Sequence, residues 1–275
     1  GGASGITAQL AQMLAQRYQP TLILLGRSAQ PPDVESAVTA GLDQPKAIKA
    51  ALIANQQRAG LPIVLADIER AYRQLLKERT IRHTLETLQA YGTDVRYMAA
   101  DVRNPVVMQT VFAQIYAEFG MINGIVHGAG MIDDKPLLAK SAASFDRVFD
   151  TKVDGAYLLA KLVDPSTLKW MAFFSSASGV FGNTGQADYA AANSLLNQFA
   201  AQLDQQWAAR VVAFCWGPWG ETGMVSAELA QHFAQRGIPL IDPQIGCQTV
   251  IDELIYGCKG EHTVIYAEGE WGAMQ

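Results

Sequence analysis

Short apolar runs alternate along this chain with longer segments in which apolar residues recur every three or four positions. The short runs predict β-strands at residues 21–25, 95–99, 124–127, 170–175, 210–215 and 263–266. The longer segments predict helices at residues 4–16, 105–119, 144–162, 187–207 and 243–256. Alternation of this kind predicts an α/β fold, namely a doubly wound parallel sheet with helices on both faces. Ligands of such sheets bind at the carboxyl ends of the strands.

The alternation stops between residue 29 and about residue 92, where only helical patterns occur. Turn signals at residues 30–33, 42–45 and 60–62 divide this segment into three predicted helices. A packing appendage or a lid is a more natural role for it than a second active site. Its apolar positions follow a helical spacing at Leu65, Ile68, Tyr72, Leu75, Leu76, Leu85 and Leu88.

The chain begins on a glycine-rich turn at residues 1–7, and no strand precedes this turn. In a Rossmann-type fold such a turn follows the first strand. We therefore expect that the first strand lies outside this sequence, that the strand at 21–25 is the second, and that the segment 29–92 is an insertion after it. Residues 268–275 predict an irregular tail. Together these features indicate a single domain, residues 1–275, taken from a longer multidomain protein.

Length and composition narrow the class of protein. The 275 residues suffice for one large α/β domain, and the net charge of −5 argues against general nucleic-acid binding. No apolar run approaches the roughly 20 residues of a membrane span, and no signal peptide is recognisable. Three cysteines without metal-type spacing favour a reduced, cytoplasmic protein, and the scattered histidines indicate no metal site.

Four polar residues carry the candidate chemistry. A helix over residues 187–207 places Tyr189 and Asn193 one turn apart on the same face. Ser176 lies at the end of the apolar run 13 residues before Tyr189, and Lys152 lies a further 24 residues back. A phenol can deliver a proton, a hydroxyl can hold a carbonyl oxygen, and an ammonium can keep the phenol acidic. This combination predicts ketone reduction. The alternative is a helix-surface tyrosine and a solvated lysine.

These residues and their order resemble the short-chain dehydrogenase/reductases, and more narrowly the ketoreductase domains of type I polyketide synthases. Most members of the superfamily place Lys four residues after the tyrosine and an Asn earlier. This chain has the exchanged order of the polyketide enzymes, with Asn193 after Tyr189 and Lys152 earlier. The insertion, with residues 81–85 and 180–186, is similar to ketoreductases of iterative synthases that make polyunsaturated fatty acids.

The resemblance implies an NADPH site. The glycine turn would hold the pyrophosphate at a helix N-terminus, although Thr7 stands where the family places another glycine. Arg27 follows the next strand and can pair with a 2′-phosphate, which favours NADPH over NADH; the alternative is an arginine that only extends from a strand end. His127 is expected to be a packed neutral histidine. The other implied contacts are Gly1, Gly2, Ala3, Ser4, Gly5 and Ile6 (turn), Ser28, Asp101 and Val102 (adenosine), Gly128, Ala129 and Gly130 (ribose), Gly217, Pro218 and Trp219 (nicotinamide), with Lys152 and Tyr189.

The family further implies a substrate and a product. We expect NADPH-dependent reduction of a β-ketoacyl thioester, carried by an acyl carrier protein, beside the other domains of a synthase. Ile132, Asp133 and Asp134 match a Leu-Asp-Asp motif of enzymes that form the D (3R) alcohol, and Phe181 replaces the tryptophan typical of the L type. The alternative is that the two aspartates cap a turn. Two rival functions stay open: a free-standing reductase of small ketones or acyl-CoA, and a non-catalytic scaffold.

Overall fold

The computed structural model describes residues 1–220, 227–235 and 237–269. The six strands of these residues match the predicted runs to within one residue at each end. They are β1 (Leu22–Gly26), β2 (Val95–Ala99), β3 (Gly124–His127), β4 (Trp170–Ser176), β5 (Arg210–Trp216) and β6 (Thr263–Tyr266). The helices are α1 (Gly5–Tyr18), α2 (Pro45–Arg58), α3 (Leu65–Ala90), α4 (Pro105–Phe119), α5 (Ala142–Leu162), α6 (Ser178–Phe181), α7 (Ala187–Gln206), α8 (Ala227–Gln235) and α9 (Pro243–Tyr256), with a 3₁₀ turn at Leu137–Ala139.

All strand pairs are parallel, as predicted. They form a two-stranded sheet, β1-β2, and a four-stranded sheet in the order β3-β4-β5-β6. The N-terminal turn touches both sheets, because the Gly2 N–H donates to the Leu25 carbonyl at 2.8 Å while Thr7 packs against Gly128 beyond β3. The turn therefore lies where the carboxyl ends of β1 and β3 meet.

The centre of the fold is the pair β4–β5, whose side chains alternate between two cores. Met171 and Phe173 face a core built with α4, α5 and α7, while Ala172 and Phe174 face a core built with α1 and α9. All seven residues of β5 are buried. Parallel strands covered on both faces read as continuous apolar runs for this reason. The prediction of helices on both faces of the sheet is confirmed.

The segment 29–92 contains two helices, not the three that its turn signals predicted. Residues 29–44 form turns and irregular backbone, held to α3 by the ion pair of Glu35 with Arg79, 2.7 Å between their atoms. Ile81 and Leu88 of α3 pack with Leu24 and Val95, so the second half of α3 is the crossover helix that links β1 to β2. Only α2 and the turns before it are additional to this unit.

The apolar face of α3 differs in part from the sequence pattern. Ile68, Leu75 and Leu88 are buried as expected, but Leu65 is 76% exposed and Leu76 is 39% exposed. These two residues lie in the half of α3 where α2 is its neighbour, and α2 covers only one stripe of the helix.

No helix of the described residues is long and apolar enough to cross a membrane.

Candidate active site

A cavity of about 1040 Å³ lies at the carboxyl ends of β3, β4 and β5, beside the N-terminus of α1. This is the edge where the fold predicts a ligand. Sixteen of the residues that the sequence singled out line it: Gly1, Ser4, Gly5, Ile6, Gly128, Ala129, Gly130, Ile132, Asp134, Lys152, Ser176, Phe181, Tyr189, Gly217, Pro218 and Trp219.

The strand β4 and the first turn of α7 bring Ser176 and Tyr189 to one wall of the cavity. The Ser176 Oγ accepts hydrogen bonds from the Ser178 N–H at 3.2 Å and from Ser178 Oγ at 3.0 Å. Burial raises the pKa of the Tyr189 phenol, while hydrogen bonding to Asn193 and Ser176 acts in the opposite direction. The phenol therefore keeps its proton at neutral pH, as a proton donor to an alkoxide requires.

Lys152 reaches the same wall from α5 and is buried, so the alternative of a solvated lysine is wrong. Its Nζ donates to the Phe174 carbonyl at 2.8 Å and lies 5.3 Å from the centroid of the Tyr189 ring. Burial lowers the pKa of Lys152 to about 8. A cation over the face of the ring stabilises negative charge on the phenol oxygen.

Asn193 is fully buried one turn after Tyr189. Its Nδ2 donates to the Tyr189 carbonyl at 2.8 Å, and its Oδ1 is buried without a hydrogen-bond partner. The short helix α6 fixes this position, because a Cβ on Gly179 would lie 2.7 Å from the Cβ of Asn193. A buried, unpartnered oxygen one turn after the tyrosine suits a bound water or ligand group.

His127 contacts the backbone of Lys152 and does not line the cavity. The Nε2–H of His127 donates a hydrogen bond to the Lys152 carbonyl at 2.8 Å, and burial lowers the pKa of the imidazole to about 3. A Cβ on Gly155 would lie only 2.7 Å from the imidazole Cε1. His127 is therefore a packed neutral histidine, as expected, and it positions α5.

The residues around the cavity fit a dinucleotide. The side chain of Ser4 makes no capping hydrogen bond to α1, so the first-turn N–H groups remain available at the cavity. Thr7 occupies the family's glycine position without blocking the turn, since its Oγ1 donates to the Gly1 carbonyl at 2.7 Å. A Cβ on Gly128 would overlap the Thr7 methyl group. Backbone thus approaches the cavity closely from both sides.

Six of the implied cofactor residues do not line the cavity. Ala3 is buried beneath the turn, where its carbonyl accepts from Thr84 at 3.1 Å. The Asp101 carboxylate is held by the Arg103 side chain at 2.7 and 3.0 Å, and this hydrogen bonding lowers the Asp101 pKa to about 2. The positive charge of Arg27 acts on the same carboxylate, so the two residues are neighbours at the ends of β1 and β2. The six are Gly2, Ala3, Arg27, Ser28, Asp101 and Val102.

The two aspartates of the Leu-Asp-Asp-like motif have different surroundings. Asp133 accepts from Ser144 Oγ at 2.6 Å and from Arg147 at 3.1 Å, and its pKa falls to about 2 mainly through the Ser144 hydrogen bond. Asp134 lines the cavity and accepts from Gln186 Nε2 at 2.9 Å. Asp133 thus anchors the loop to α5, and only Asp134 can face a substrate.

Sequence reasoning missed part of the lining. Trp216 is not among the missed residues, because it begins the segment 216–219 that the resemblance places beside the nicotinamide; its ring meets that of Trp219 edge-on, with 4.8 Å between the centroids. Most of the missed residues adjoin a predicted motif in sequence, and that adjacency was the signal available. The lining residues to which the sequence assigned no role are Phe174, Ser175, Ala177, Ser178, Gly182, Asn183, Thr184, Gln186, Phe233 and Ile238.

A parallel α/β fold with serine, tyrosine and lysine gathered at the carboxyl edge of its sheet defines a reductase of the short-chain dehydrogenase/reductase type. The family model described as the KR domain matches residues 1–221, and the chain belongs to this family of ketoreductase domains. No group of three or more potential metal-ligating side chains occurs within the described ranges.

Two curated relatives are large synthases. The chain is 32% identical over 257 residues to a polyunsaturated fatty acid synthase protein of Thraustochytrium sp. (strain ATCC 26185 / S-3), covering 91% of this chain and 9% of that protein. It is 29% identical over 241 residues to 6-methylsalicylic acid synthase of Aspergillus terreus (strain NIH 2624 / FGSC A1156), covering 86% and 12%. The chain therefore spans about a tenth of the length of these relatives.

Solved structures agree with the fold. A ketoreductase domain from the bacillaene assembly line is 27% identical, with a TM-score of 0.72, covering 100% of this chain and 56% of that one. The ketoreductase from the first module of phoslactomycin biosynthesis in Streptomyces sp. HK803 is 23% identical, with a TM-score of 0.74, covering 99% and 52%. The second likeness concerns the fold alone.

Proposed function

We propose that the chain reduces a β-ketoacyl thioester, carried by an acyl carrier protein, to the 3-hydroxyacyl thioester with NADPH. The observation that carries the proposal is the convergence of Ser176, Tyr189 and buried Lys152 on one cavity wall, with buried Asn193 one turn after the tyrosine. The synthases to which the chain is similar support its place within a larger protein. We place the protein in the cytoplasm, because its three free cysteines favour a reducing compartment.

The residues of the wall divide the chemistry among them. NADPH, when bound, supplies the hydride that adds to the ketone carbon. The Tyr189 phenol gives its proton to the developing alkoxide, and Ser176 donates a hydrogen bond to the same oxygen. Lys152 stabilises the phenolate that remains and can bind the nicotinamide ribose, while Asn193 positions Lys152 or a water that returns the proton. Ketone, NADPH and one proton thus give alcohol and NADP⁺.

NADPH rather than NADH is proposed from Arg27. This arginine is exposed at the end of β1 and can pair with a 2′-phosphate through two parallel hydrogen bonds. Asp101 beside it is already held by Arg103, and a carboxylate in that state offers less to the ribose hydroxyls of NADH. Gly2 and Ala3 would not contact the pyrophosphate but would hold the turn that binds it, through the hydrogen bonds of Gly2 to Leu25 and of Ala3 to Thr84.

The product is proposed to be the D (3R) alcohol. Ile132, Asp134 and Phe181 line the cavity on the side of the loop that joins β3 to α5, and Asp133 holds that loop in place. The loop would admit the pantetheine arm from one side, so one face of the ketone would meet the hydride.

Chiral analysis of the product from a 3-oxoacyl thioester tests the proposal. We expect NADPH oxidation in step with formation of the 3R alcohol, at a higher rate with a carrier-bound than with a free thioester. Equal rates would favour the free-standing reductase, and NADPH binding without oxidation across a panel of 3-oxo thioesters would favour the scaffold. Predominance of the 3S alcohol would refute the stereochemical part alone.

A further inference from the structure

A buried ion pair lies directly beside the catalytic tyrosine. Lys140 Nζ is 2.6 Å from Asp188 Oδ2, and the two side chains are only 2% and 1% exposed. The second oxygen of Asp188 accepts from the backbone N–H of Tyr189 at 2.8 Å. Within the described ranges, no other ion pair has both side chains buried to this degree. Asp188 therefore connects the ammonium of Lys140 to the backbone of Tyr189.

Lys140 also holds the loop at residues 131–140, here named the cleft loop. Its Nζ donates to the Asp133 carbonyl at 2.6 Å. Two further bonds run in parallel: the Lys135 N–H donates to the Gly185 carbonyl at 3.0 Å, and Gln186 Nε2 donates to Asp134 at 2.9 Å. The cleft loop and the start of α7 are thus joined at three points, of which only the Lys140–Asp188 pair is fully buried.

The physical cost of this pair bears on its role. Removing a lysine and an aspartate from water is expensive, and an apolar pair of similar volume generally stabilises a fold at least as well. An ion pair with added hydrogen bonds, in contrast, restricts the geometry of the groups that it joins. Lys140 has three protons, and two of its partners are the Asp188 carboxylate and the Asp133 carbonyl. The arrangement suits positioning better than general stabilisation.

We propose that Lys140 and Asp188 form a positioning pair that fixes Tyr189 and the cleft loop relative to each other, and so determines which face of the ketone is reduced. The inference rests on the proposed reductase function for its consequence, but not for its structural part. Neither residue touches the substrate. Both act through Tyr189 and through Asp134, which line the cavity.

The first test compares product enantiomers. Lys140→Met removes the ammonium, and Asp188→Asn removes the charge while keeping an oxygen for the Tyr189 N–H. The matched control is Lys259→Met, at the other end of α7, where Lys259 Nζ lies 3.5 Å from buried Asp204. With a 3-oxoacyl thioester we expect the enantiomer ratio to fall at least tenfold in both test variants, with NADPH Kd within about twofold of wild type. The control should keep the wild-type ratio.

A ratio in Lys140→Met and Asp188→Asn within twofold of that in Lys259→Met would overturn the proposal, whatever the loss of thermal stability. Turnover is expressed per NADPH-binding site, so that partial unfolding does not count as loss of positioning. If a single variant does not fold, Lys140→Met/Asp188→Asn, which leaves no unpaired buried charge, is judged by the same ratio.

Hydrogen exchange without substrate separates this proposal from the proposed function. In Lys140→Met, the N–H groups of Tyr189 and of the cleft loop should exchange faster together, while those of β5 keep their protection. Unchanged exchange at either segment would overturn the positioning pair even if the enzyme reduces 3-oxo thioesters. Conversely, a wild type that forms no alcohol would refute the reductase function, and the exchange result would still stand.

Discussion

The two ends of the cleft differ in how they are built. At the carbonyl end, Ser176, Tyr189 and Lys152 come from three neighbouring elements around the buried strand β4, and each touches another member of the group. At the adenosine end, Arg27 and Asp101 lie at the ends of β1 and β2, outside the cavity wall. The carbonyl end is preorganised by burial, whereas the adenosine end is open to solvent, and under the proposed function bound NADPH would complete it.

This difference predicts where substitutions act. Changes at the carbonyl end should alter turnover and the stability of the fold, because its groups are desolvated and coupled to the core. Changes at the adenosine end should alter cofactor affinity, with little effect on turnover or on the stability of the fold, because the charges at this end are exposed and screened.

The largest effect is expected from Tyr189→Phe. The substitution removes only the phenol oxygen, so turnover should fall by roughly 10²–10⁴-fold while NADPH binding stays within about twofold. Steady-state rates with a 3-oxoacyl thioester and fluorescence titration of NADPH measure the two quantities. Tyr157→Phe, on exposed α5 surface, is the matched control and should leave both unchanged. Turnover within a few-fold of wild type would exclude Tyr189 as the proton donor.

A second prediction uses the buried charge of Lys152. Its pKa is about 8 in the folded protein against an ordinary value of 10.5, so the unfolded chain binds more protons between these pH values. The contribution of Lys152 to stability therefore becomes more favourable as pH rises across that window, and the cost of the buried cation, about 3 kcal/mol for this shift, is at its full value below pH 8. The stability of Lys152→Met relative to that of the wild type should therefore be greatest below pH 8.

Urea unfolding at several pH values measures this effect. The difference in unfolding free energy between Lys152→Met and wild type should change by about 3 kcal/mol between pH 8 and 10.5, in favour of wild type as pH rises. Lys161→Met, at an exposed site near the end of the same helix, should show no such dependence. A constant difference across the window would mean that Lys152 is not buried as a cation.

A third prediction concerns the open end. Arg27→Ala should weaken NADPH binding by about tenfold or more, because a charge-assisted hydrogen bond to the 2′-phosphate is lost, and should leave NADH binding within about twofold. Titration with both cofactors checks this, and the effect on NADPH should shrink at high salt. Arg17→Ala, an exposed arginine in the last turn of α1, is the control. An equal loss for both cofactors would reject the 2′-phosphate assignment.

The same contrast explains what the sequence could and could not predict. Strand bounds were predictable because β4 and β5 are buried on both faces, which leaves an uninterrupted apolar signal. The Lys140–Asp188 ion pair was not predictable from the sequence. Its two residues are 48 positions apart, and in the sequence each resembles an ordinary surface charge. Turn signals overestimated the number of helices in residues 29–92. Local sequence does not distinguish a turn between two helices from an irregular segment, and here the irregular segment is held by the long-range ion pair of Glu35 with Arg79.

The smallest effect is expected from Arg103→Leu, and it distinguishes the two arginines of the adenosine end. Arg103 is paired with Asp101, whereas Arg27 is the exposed neighbour, so only Arg27 is expected to meet the cofactor's phosphate. Loss of Arg103 frees the Asp101 carboxylate, whose titration midpoint should rise from about 2 toward its ordinary value. Because the pair is about one-third exposed, stability should change by less than about 1 kcal/mol.

Carboxyl NMR titration of Asp101 and NADPH titration measure this prediction together. We expect NADPH affinity to change less than about threefold, since a carboxylate can accept from an adenine amino group with or without the arginine, having about four lone-pair positions. Arg103→Lys should restore much of the lowered Asp101 midpoint without changing affinity. A loss of NADPH affinity as large as that of Arg27→Ala would instead show that both arginines bind the phosphate, and that this end of the cleft is as fixed by its own charges as the carbonyl end is by burial.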